Sequence, residues 1–386
     1  MSTTVRTVLT PTAIGRLAIG WFAVVALALA GPLLEPPVPA PLLAGALAAI
    51  VGVILLCAFG VVREAEHLAR RLGDPYGSLV LTLSIVVIEV VLISAVMLGP
   101  GDHTTIARDS VMAVAMIILC AVVGLSLLAG GLRHGDLEHN RTGTSAYLAM
   151  LVVLAALAFA LPATIGDGGS YTGGQAVVVV GLTVVLYAFF LWRQTGAQAN
   201  DFREVDPRVR PGADRDAGAH RDAGGPSNLA ETFAAHRTEI LLRFALLVVT
   251  VLPIVLLSHD MAALLDDGLG RLGAPVALSG LLIACIVFLP ESITSVRAAL
   301  AGEVQRVSNL CHGALVSTVG LTIPAVLVIG AVTGQQVVLA ESPANLLLVG
   351  VALALSVTTF SGRRVTAMHG AAHLVLFAVY VLAVFA

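Results

Sequence analysis

Apolar runs of about twenty residues recur along the chain, the length a helix rising 1.5 Å per residue needs to cross a bilayer's hydrocarbon layer. Short breaks of Gly, Pro, Arg and acidic residues separate them. Eleven such spans are predicted, at 16–33, 39–62, 77–98, 108–131, 145–163, 174–192, 239–257, 274–296, 307–330, 343–359 and 365–385. One polar stretch is long, Arg193 to Thr238, and its Asp, Arg, Gly and Pro content offers little apolar surface to bury. It reads as a mobile connector outside the membrane. The predicted organisation is an N-terminal helix (1–38), a first five-helix half (39–193), the connector (194–238) and a second five-helix half (239–386).

Composition sharpens the class. Of 386 residues, 58% are hydrophobic and 12% charged, and the mean hydropathy is +0.97. A soluble domain this apolar could not cover its core with polar surface, whereas lipid accepts apolar side chains outside as well as inside. All 21 basic residues are Arg, and the net charge of −3 gives no basic excess for nucleic acid. Cys57, Cys120, Cys285 and Cys311 fall in apolar runs without C-x-x-C spacing, so they are expected to be reduced core residues. The N-terminal stretch lacks a small-x-small cleavage site and is read as a retained helix.

Arginine placement orients the chain. With the connector in the cytoplasm, nineteen arginines fall inside and two, Arg108 and Arg271, outside. That positive-inside bias puts the N-terminus in the cytoplasm and the C-terminus outside.

Setting the first helix aside leaves five spans plus five, and an odd number per half makes the halves enter the membrane in opposite directions. Each half carries one acidic residue well inside its second helix, Glu89 in YGSLVLTLSIVVIEVVLISAVML and Glu291 in VALSGLLIACIVFLPESITSV. The next helices rhyme, with Gly124-Leu125-Ser126 and Gly320-Leu321-Thr322 at comparable depths.

A carboxylate within a spanning helix is expensive unless protonated, paired or hydrated, so Glu89 and Glu291 are the leading site candidates, able to hold a proton or a cation. Pro290 removes a backbone donor beside Glu291, freeing carbonyl oxygen for hard cations. Thr82, Ser84, Asn309, Ser317, Thr318 and Thr322 supply uncharged oxygen on flanking helices, although each could instead bond its own or a neighbouring helix. Glu64 and Glu66 could form a vestibule, or an interfacial charged turn beside Arg63, Arg70 and Arg71. His312, within the ninth span, could relay protons or pack. His369 and His373 have a zinc-compatible spacing without a third ligand. The chain has no G-x-x-x-x-G-K-[ST] loop and no H-E-x-x-H, which argues against an ATP-driven pump and a zinc protease.

The segments GDPYGSLVLTLSIVVIEV (73–90), ARDSVMAVAMIILCAVVGLSLLAGG (107–131), FLPESITSVRAALAGEVQRVSNLCHGALVSTVGLTIPAV (288–326) and GAAHLVLFAVY (370–380) resemble the bacterial calcium/proton antiporters of the cation/calcium exchanger superfamily, in the branch also credited with sodium/proton and potassium/proton exchange. The resemblance implies an all-α integral membrane protein of about eleven transmembrane helices: one extra N-terminal helix plus two inverted five-helix repeats. It implies that Glu89 and Glu291 share the transported ion. Wider relatives carry G-N-x-x-E at the first glutamate, where this chain has Ile85-Val86-Val87-Ile88-Glu89, and its second half has Phe288-Leu289-Pro290-Glu291; each half lacks the Gly and the Asn oxygen. The connector is not strongly acidic, with seven acidic and six basic residues over 196–237.

The expected function is therefore proton-coupled antiport of Ca²⁺, Na⁺ or K⁺ across a bacterial plasma membrane, with no enzymatic activity, no cofactor and no nucleic-acid partner. Lipid, inorganic cations and protons are the expected partners. A cation channel, or less readily a membrane enzyme, is the alternative.

Overall fold

The computed structural model describes residues 7–34, 38–72, 104–204, 229–275 and 277–385, with isolated positions between 83 and 97. Helix α1 spans Pro11–Ala30 and α2 spans Ala40–Leu72. α3 runs Ile106–His134, α4 Arg141–Ile165 and α5 Gly173–Thr195. α6 covers Leu229–Arg271, α7 Ala277–Ala301, α8 Val304–Thr333, α9 Pro343–Ser361 and α10 Ala367–Val384. Among the described residues, eight helices are long and apolar enough to cross a membrane, nine when the bent α7 is one span. α9 is a shorter apolar helix. The span at 77–98 lies largely outside the described residues; its described positions are helical, with Val86, Ile93 and Met97 buried.

Local chemistry sets the helix ends. Thr10 caps α1 with its hydroxyl on the Ala13 amide, ahead of Pro11. Asn140 accepts from the Thr142 and Gly143 amides at the start of α4, and Ser342 accepts from Asn345 at the start of α9, before Pro343. These oxygens satisfy donors a helix N-terminus leaves open, and proline at the first helical position lacks a donor to lose. Gly334 stops α8 in the left-handed region at φ 73°, accessible without a Cβ.

Two findings depart from the sequence reading. The all-helical expectation omits a two-stranded antiparallel sheet, β1 (Asp136–Glu138) with β2 (Arg364–Thr366), in register at Leu137↔Val365. Three residues per strand give too little periodicity to distinguish from loop. The helix entering the second half begins at Leu229, inside the segment read as connector, with a kink at His236. Residues 205–228 of that segment lie outside the described residues.

The ends of the helices sort into two layers. At the end carrying the connector, β1 pairs with β2, the His134 Nε2 contacts the Leu300 carbonyl at 2.9 Å, and Asn309 donates to the Phe202 carbonyl at 2.6 Å. At the other end, the amides of Leu339 and Ala340 both donate to the Gly169 carbonyl at 3.0 Å, and Val38 donates to Asp267. This is an inverted repeat made visible. On one side, the turn between the third and fourth helices of the first half pairs with the turn between the fourth and fifth of the second. On the opposite side the halves exchange roles, 334–341 of the second meeting 166–170 of the first.

The helix contacts obey the same operation. α3 packs against α10, and its counterpart α8 packs against α5. A Cβ on Gly124 of α3 would come within 2.9 Å of Leu374, and one on Gly320 of α8 within 3.1 Å of the Tyr187 ring. The matched glycines thus both mark a close crossing with the fifth helix of the opposite half. α3 and α8 form the centre: 83% and 67% of their apolar windows are buried, against 11% for α1, which lies on α2 and α6. Outward apolar side chains such as Phe22, Val177 and Leu382 cover the perimeter, as a lipid-facing surface requires.

Candidate ion-binding site

α7 is bent by 52° between Gly280–Ile286 and Phe288–Ala301. Pro290 explains the position. It has no amide to donate to the Ile286 carbonyl four residues back, and its ring collides with that carbonyl. The bend frees backbone oxygen immediately before Glu291. Glu291 is half-buried, and its Oε2 is shut off from solvent. Hydroxyls beyond it turn back on α7: Ser292 bonds the Phe288 carbonyl at 2.8 Å and Thr294 the Pro290 carbonyl at 2.9 Å.

α7 packs against α3 and α8. The Cys311 thiol lies 3.6 Å from the Ser295 hydroxyl, which sets the register of these antiparallel neighbours. Glu291 stands one turn from Ser295, so its level on α8 is near residue 315. α3 has a π-helical turn at Ile117–Val122, packed against α7, α8, α9 and α10. Such a turn inserts a residue and disturbs the carbonyl ladder, and it concentrates at functional sites. Pattern reading misses it, because one extra residue barely shifts apolar periodicity.

The remaining sequence candidates fall into groups. Glu89, Thr82 and Ser84 lie outside the described residues. Thr318 and Thr322 are fully buried on α8, and the Thr322 hydroxyl has no hydrogen-bond partner among the described residues. Ser317 accepts a hydrogen bond from the Tyr187 hydroxyl at 2.9 Å, a bond between the halves. Asn309 does not turn toward Glu291: its amide donates to Phe202 and accepts from Gln305 at the connector end, two turns from Glu291's level. A helical face holds residues with different neighbours at each turn, and the start of the connector claims this one.

Glu64 is not an open vestibule carboxylate. Arg243 of α6 donates to it at 2.7 Å and to Glu239 at 3.1 Å, so the first helices of the two halves are tied by a partly buried ion triad. Glu66 is half-buried and engaged in contacts of its own. The His369/His373 pair is divided, His369 bonding Thr366 and His373 bonding Thr359 at 3.1 Å. No group of three or more His, Cys, Asp or Glu is gathered for a metal among the described residues. Cys57, Cys120 and Cys311 are buried as expected, whereas Cys285 is exposed on α7.

One residue was missed. Ser126 on α3 is fully buried, and its hydroxyl has no hydrogen-bond partner among the described residues, the same condition as Thr322. The repeat already aligned Gly124-Leu125-Ser126 with Gly320-Leu321-Thr322, so the signal was present as symmetry.

Two interlocked, oppositely oriented helical halves around a proline-bent helix with a membrane-depth glutamate define an inverted-repeat membrane transporter, not an enzyme. The chain belongs to the sodium/calcium exchanger protein family, matching over residues 42–196 and 242–386. It is 35% identical over 343 residues, 88% of each chain, to the sodium-potassium/proton antiporter ChaA of Escherichia coli (strain K12). It is 34% identical over 334 residues, 86% of each chain, to the putative ionic transporter y4hA of Sinorhizobium fredii (strain NBRC 101917 / NGR234). Among solved structures it resembles the H⁺/Ca²⁺ exchanger CAX, with a TM-score of 0.64 at 14% identity over 96% of this chain and 87% of that one. Native YfkE gives 0.63 at 16% identity, over 95% of this chain and 99% of that one. These likenesses establish the exchanger fold.

Proposed function

We propose that this chain is a proton-coupled cation antiporter of a bacterial plasma membrane, exporting Ca²⁺, Na⁺ or K⁺ against inward protons, with its N-terminus and connector in the cytoplasm and its C-terminus outside. Glu89 and Glu291 alternate between protons and one dehydrated cation. The observation that carries this reading is Glu291 itself, half-buried beside Pro290 at the bend of α7. A charge at that depth costs about 2.5–3.5 kcal/mol, which favours its occupation by a proton or a cation whenever the site is closed. Alternating access then follows from electrostatics: two empty carboxylates cannot cross a dry barrier, while a protonated or cation-loaded pair can.

The Ile286 carbonyl and the Ser126 and Thr322 hydroxyls add uncharged oxygen along the route. The name of the Escherichia coli relative favours monovalent exchange, and that of the CAX neighbour favours Ca²⁺. Two carboxylates suit Ca²⁺ by charge, whereas the missing Asn oxygens favour weaker-field Na⁺ or K⁺.

Everted membrane vesicles with an acid interior test this. Adding Ca²⁺, Na⁺ or K⁺ to the bath should dequench a lumenal pH dye, and Glu89→Gln or Glu291→Gln should abolish the response while leaving the protein in the membrane. Wild-type rates in both variants would reject the site, and cation flux without proton counterflow would identify a channel.

A further inference from the structure

A second polar chain lies beside the site, and the glutamates do not account for it. His312 on α8 is fully buried. Its Nδ1 is 3.0 Å from the Ser308 hydroxyl, one turn nearer the connector end. Ser308 is in turn 3.1 Å from the Thr144 hydroxyl on α4, and both hydroxyls are fully buried. Thr144 stands three residues from Arg141, which is exposed at the start of α4. Imidazole, serine and threonine thus form an unbroken line of groups that both donate and accept, ending one turn short of the connector-end surface. At its upper end, His312 Nε2 is buried with no hydrogen-bond partner among the described residues.

That ring nitrogen sits at an informative depth. With Cys311 opposite Ser295, His312 lies about 4.5 Å, just under one helical turn, on the connector side of Glu291's level. The side chains around the imidazole hold it in place. The Phe360 ring meets it edge-on at 5.0 Å and the Tyr147 ring lies at 6.4 Å. The titratable groups facing it are Tyr147 on α4, His139 in the turn before α4 and His373 on α10. Tyr147 is occupied by Gln194, which donates to its hydroxyl at 2.6 Å, and His373 by Thr359. His139 contacts the Phe360 carbonyl at 3.2 Å and meets the same ring edge-on at 5.2 Å.

Resting on the antiport reading, we propose that His312, Ser308 and Thr144 are the proton exit toward the cytoplasm. A proton released by Glu291, carried across the gap by water when the site opens inward, binds His312 Nε2. The Nδ1 hydrogen passes to the Ser308 oxygen, the Ser308 hydrogen to the Thr144 oxygen, and the Thr144 hydrogen to a water admitted from the connector end when the site opens inward. Each group loses one proton for each gained, so the chain ends one proton further on with no net change. Rotation of the two hydroxyls and a tautomer shift of the ring reset it. His312 is then a proton-carrying residue that does not ligate the cation.

The test uses the full-length protein in everted vesicles, whose bath contacts the cytoplasmic face. Initial exchange rates are measured against bath cation concentration at several bath pH values, with wild type, His312→Gln and Ser308→Ala. We expect His312→Gln to lower the maximal rate about a hundredfold, the lower end of the range for loss of a proton-transfer group, and to flatten its dependence on bath pH. The KM for cation should stay within about twofold, because ground-state binding is untouched. Ser308→Ala, which keeps the imidazole and interrupts the chain, should reproduce the loss in part. Wild-type rates and pH profiles in both variants would overturn the relay, as would a raised KM at unchanged maximal rate. If His312→Gln does not reach the membrane, Ser308→Ala decides by the same two criteria. Wild-type vesicles that release no protons on cation addition would reject the antiport reading, whereas exchange in wild type with unaltered variants rejects the relay alone.

Discussion

Glu341 and His139 sit outside the spanning segments at opposite ends of the molecule and give stability opposite pH dependences. Burial, and then the nearby Asp109 charge, push the Glu341 carboxyl above its usual range, although hydrogen bonds from Asn345 and Ser342 and the Arg108 charge pull the other way. A raised folded pKa contributes stability that is present below the unfolded pKa and lost as pH rises through the folded one. Glu341→Gln should therefore raise the thermal midpoint of detergent-solubilised protein at neutral pH and remove part of its pH slope. For His139, burial holds the ring below the usual histidine range, with the Arg141 charge adding to it. The stability tied to that neutral ring is present above the unfolded pKa and lost as pH falls through the folded one. His139→Gln should make the protein less acid-sensitive, read as the change in thermal midpoint between neutral and mildly acidic buffer.

Single residues show what a sequence announces and what it hides. Glu291 and Pro290 were legible because a charge and a proline inside an apolar run violate its pattern. Asn309 and Glu64 were legible as polar residues but not as to role, since partners arriving from Phe202 and Arg243 are far away in sequence. Ser126 was invisible by chemistry, because a lone serine in an apolar helix is ordinary.

Among elements, the tie between α2 and α6 and the crossing of α3 with α10 are the most exposed to perturbation. Arg243→Met would leave Glu64 and Glu239 as partly buried carboxylates without their cation, and removing one partner of such a set costs about 3–5 kcal/mol. The expected result is a lower thermal midpoint, with Arg243→Lys recovering part of it. At the crossing, a Cβ on Gly370 would run into the Leu128 amide nitrogen, backbone that cannot rotate away. Gly370→Ala should then force α10 off α3 and destabilise by about 1–3 kcal/mol, as overpacking does. An unchanged thermal midpoint in Gly370→Ala would mean the two helices can separate freely. The helices themselves follow from apolar runs bounded by caps such as Asn140 and Ser342. The π turn in α3 and the strands β1 and β2 did not, because each is too short to leave a period.

For the whole molecule, the inverted repeat governs both assembly and transport. The halves embrace at both faces, turn to turn, and each third helix packs on the fifth helix of the other half. The connector that joins them is nearly balanced in charge, with seven acidic and six basic residues over 196–237. Replacing 205–228 by a neutral Gly/Ser linker of equal length should leave the KM for cation within about twofold, since the segment's acidic and basic charges nearly cancel. A large loss of cation affinity would show that the segment collects cations after all.

The sequence by itself determined that the chain lies in a membrane, where nearly every span falls, which half inverts the other, and that one glutamate in each half, Glu89 and Glu291, breaks the apolar pattern of its span. All of these are set by composition and period along one chain, because lipid demands long apolar helices and penalises an isolated charge. Only the tertiary structure decided which polar residues face one another. It turned Asn309 to the connector, tied Glu64 to Arg243, left the Ser126 and Thr322 hydroxyls without hydrogen-bond partners among the described residues, and lined up His312, Ser308 and Thr144. Those outcomes depend on helix rotation and register between segments more than a hundred residues apart. Packing of surfaces in three dimensions sets rotation and register, and no local pattern records them.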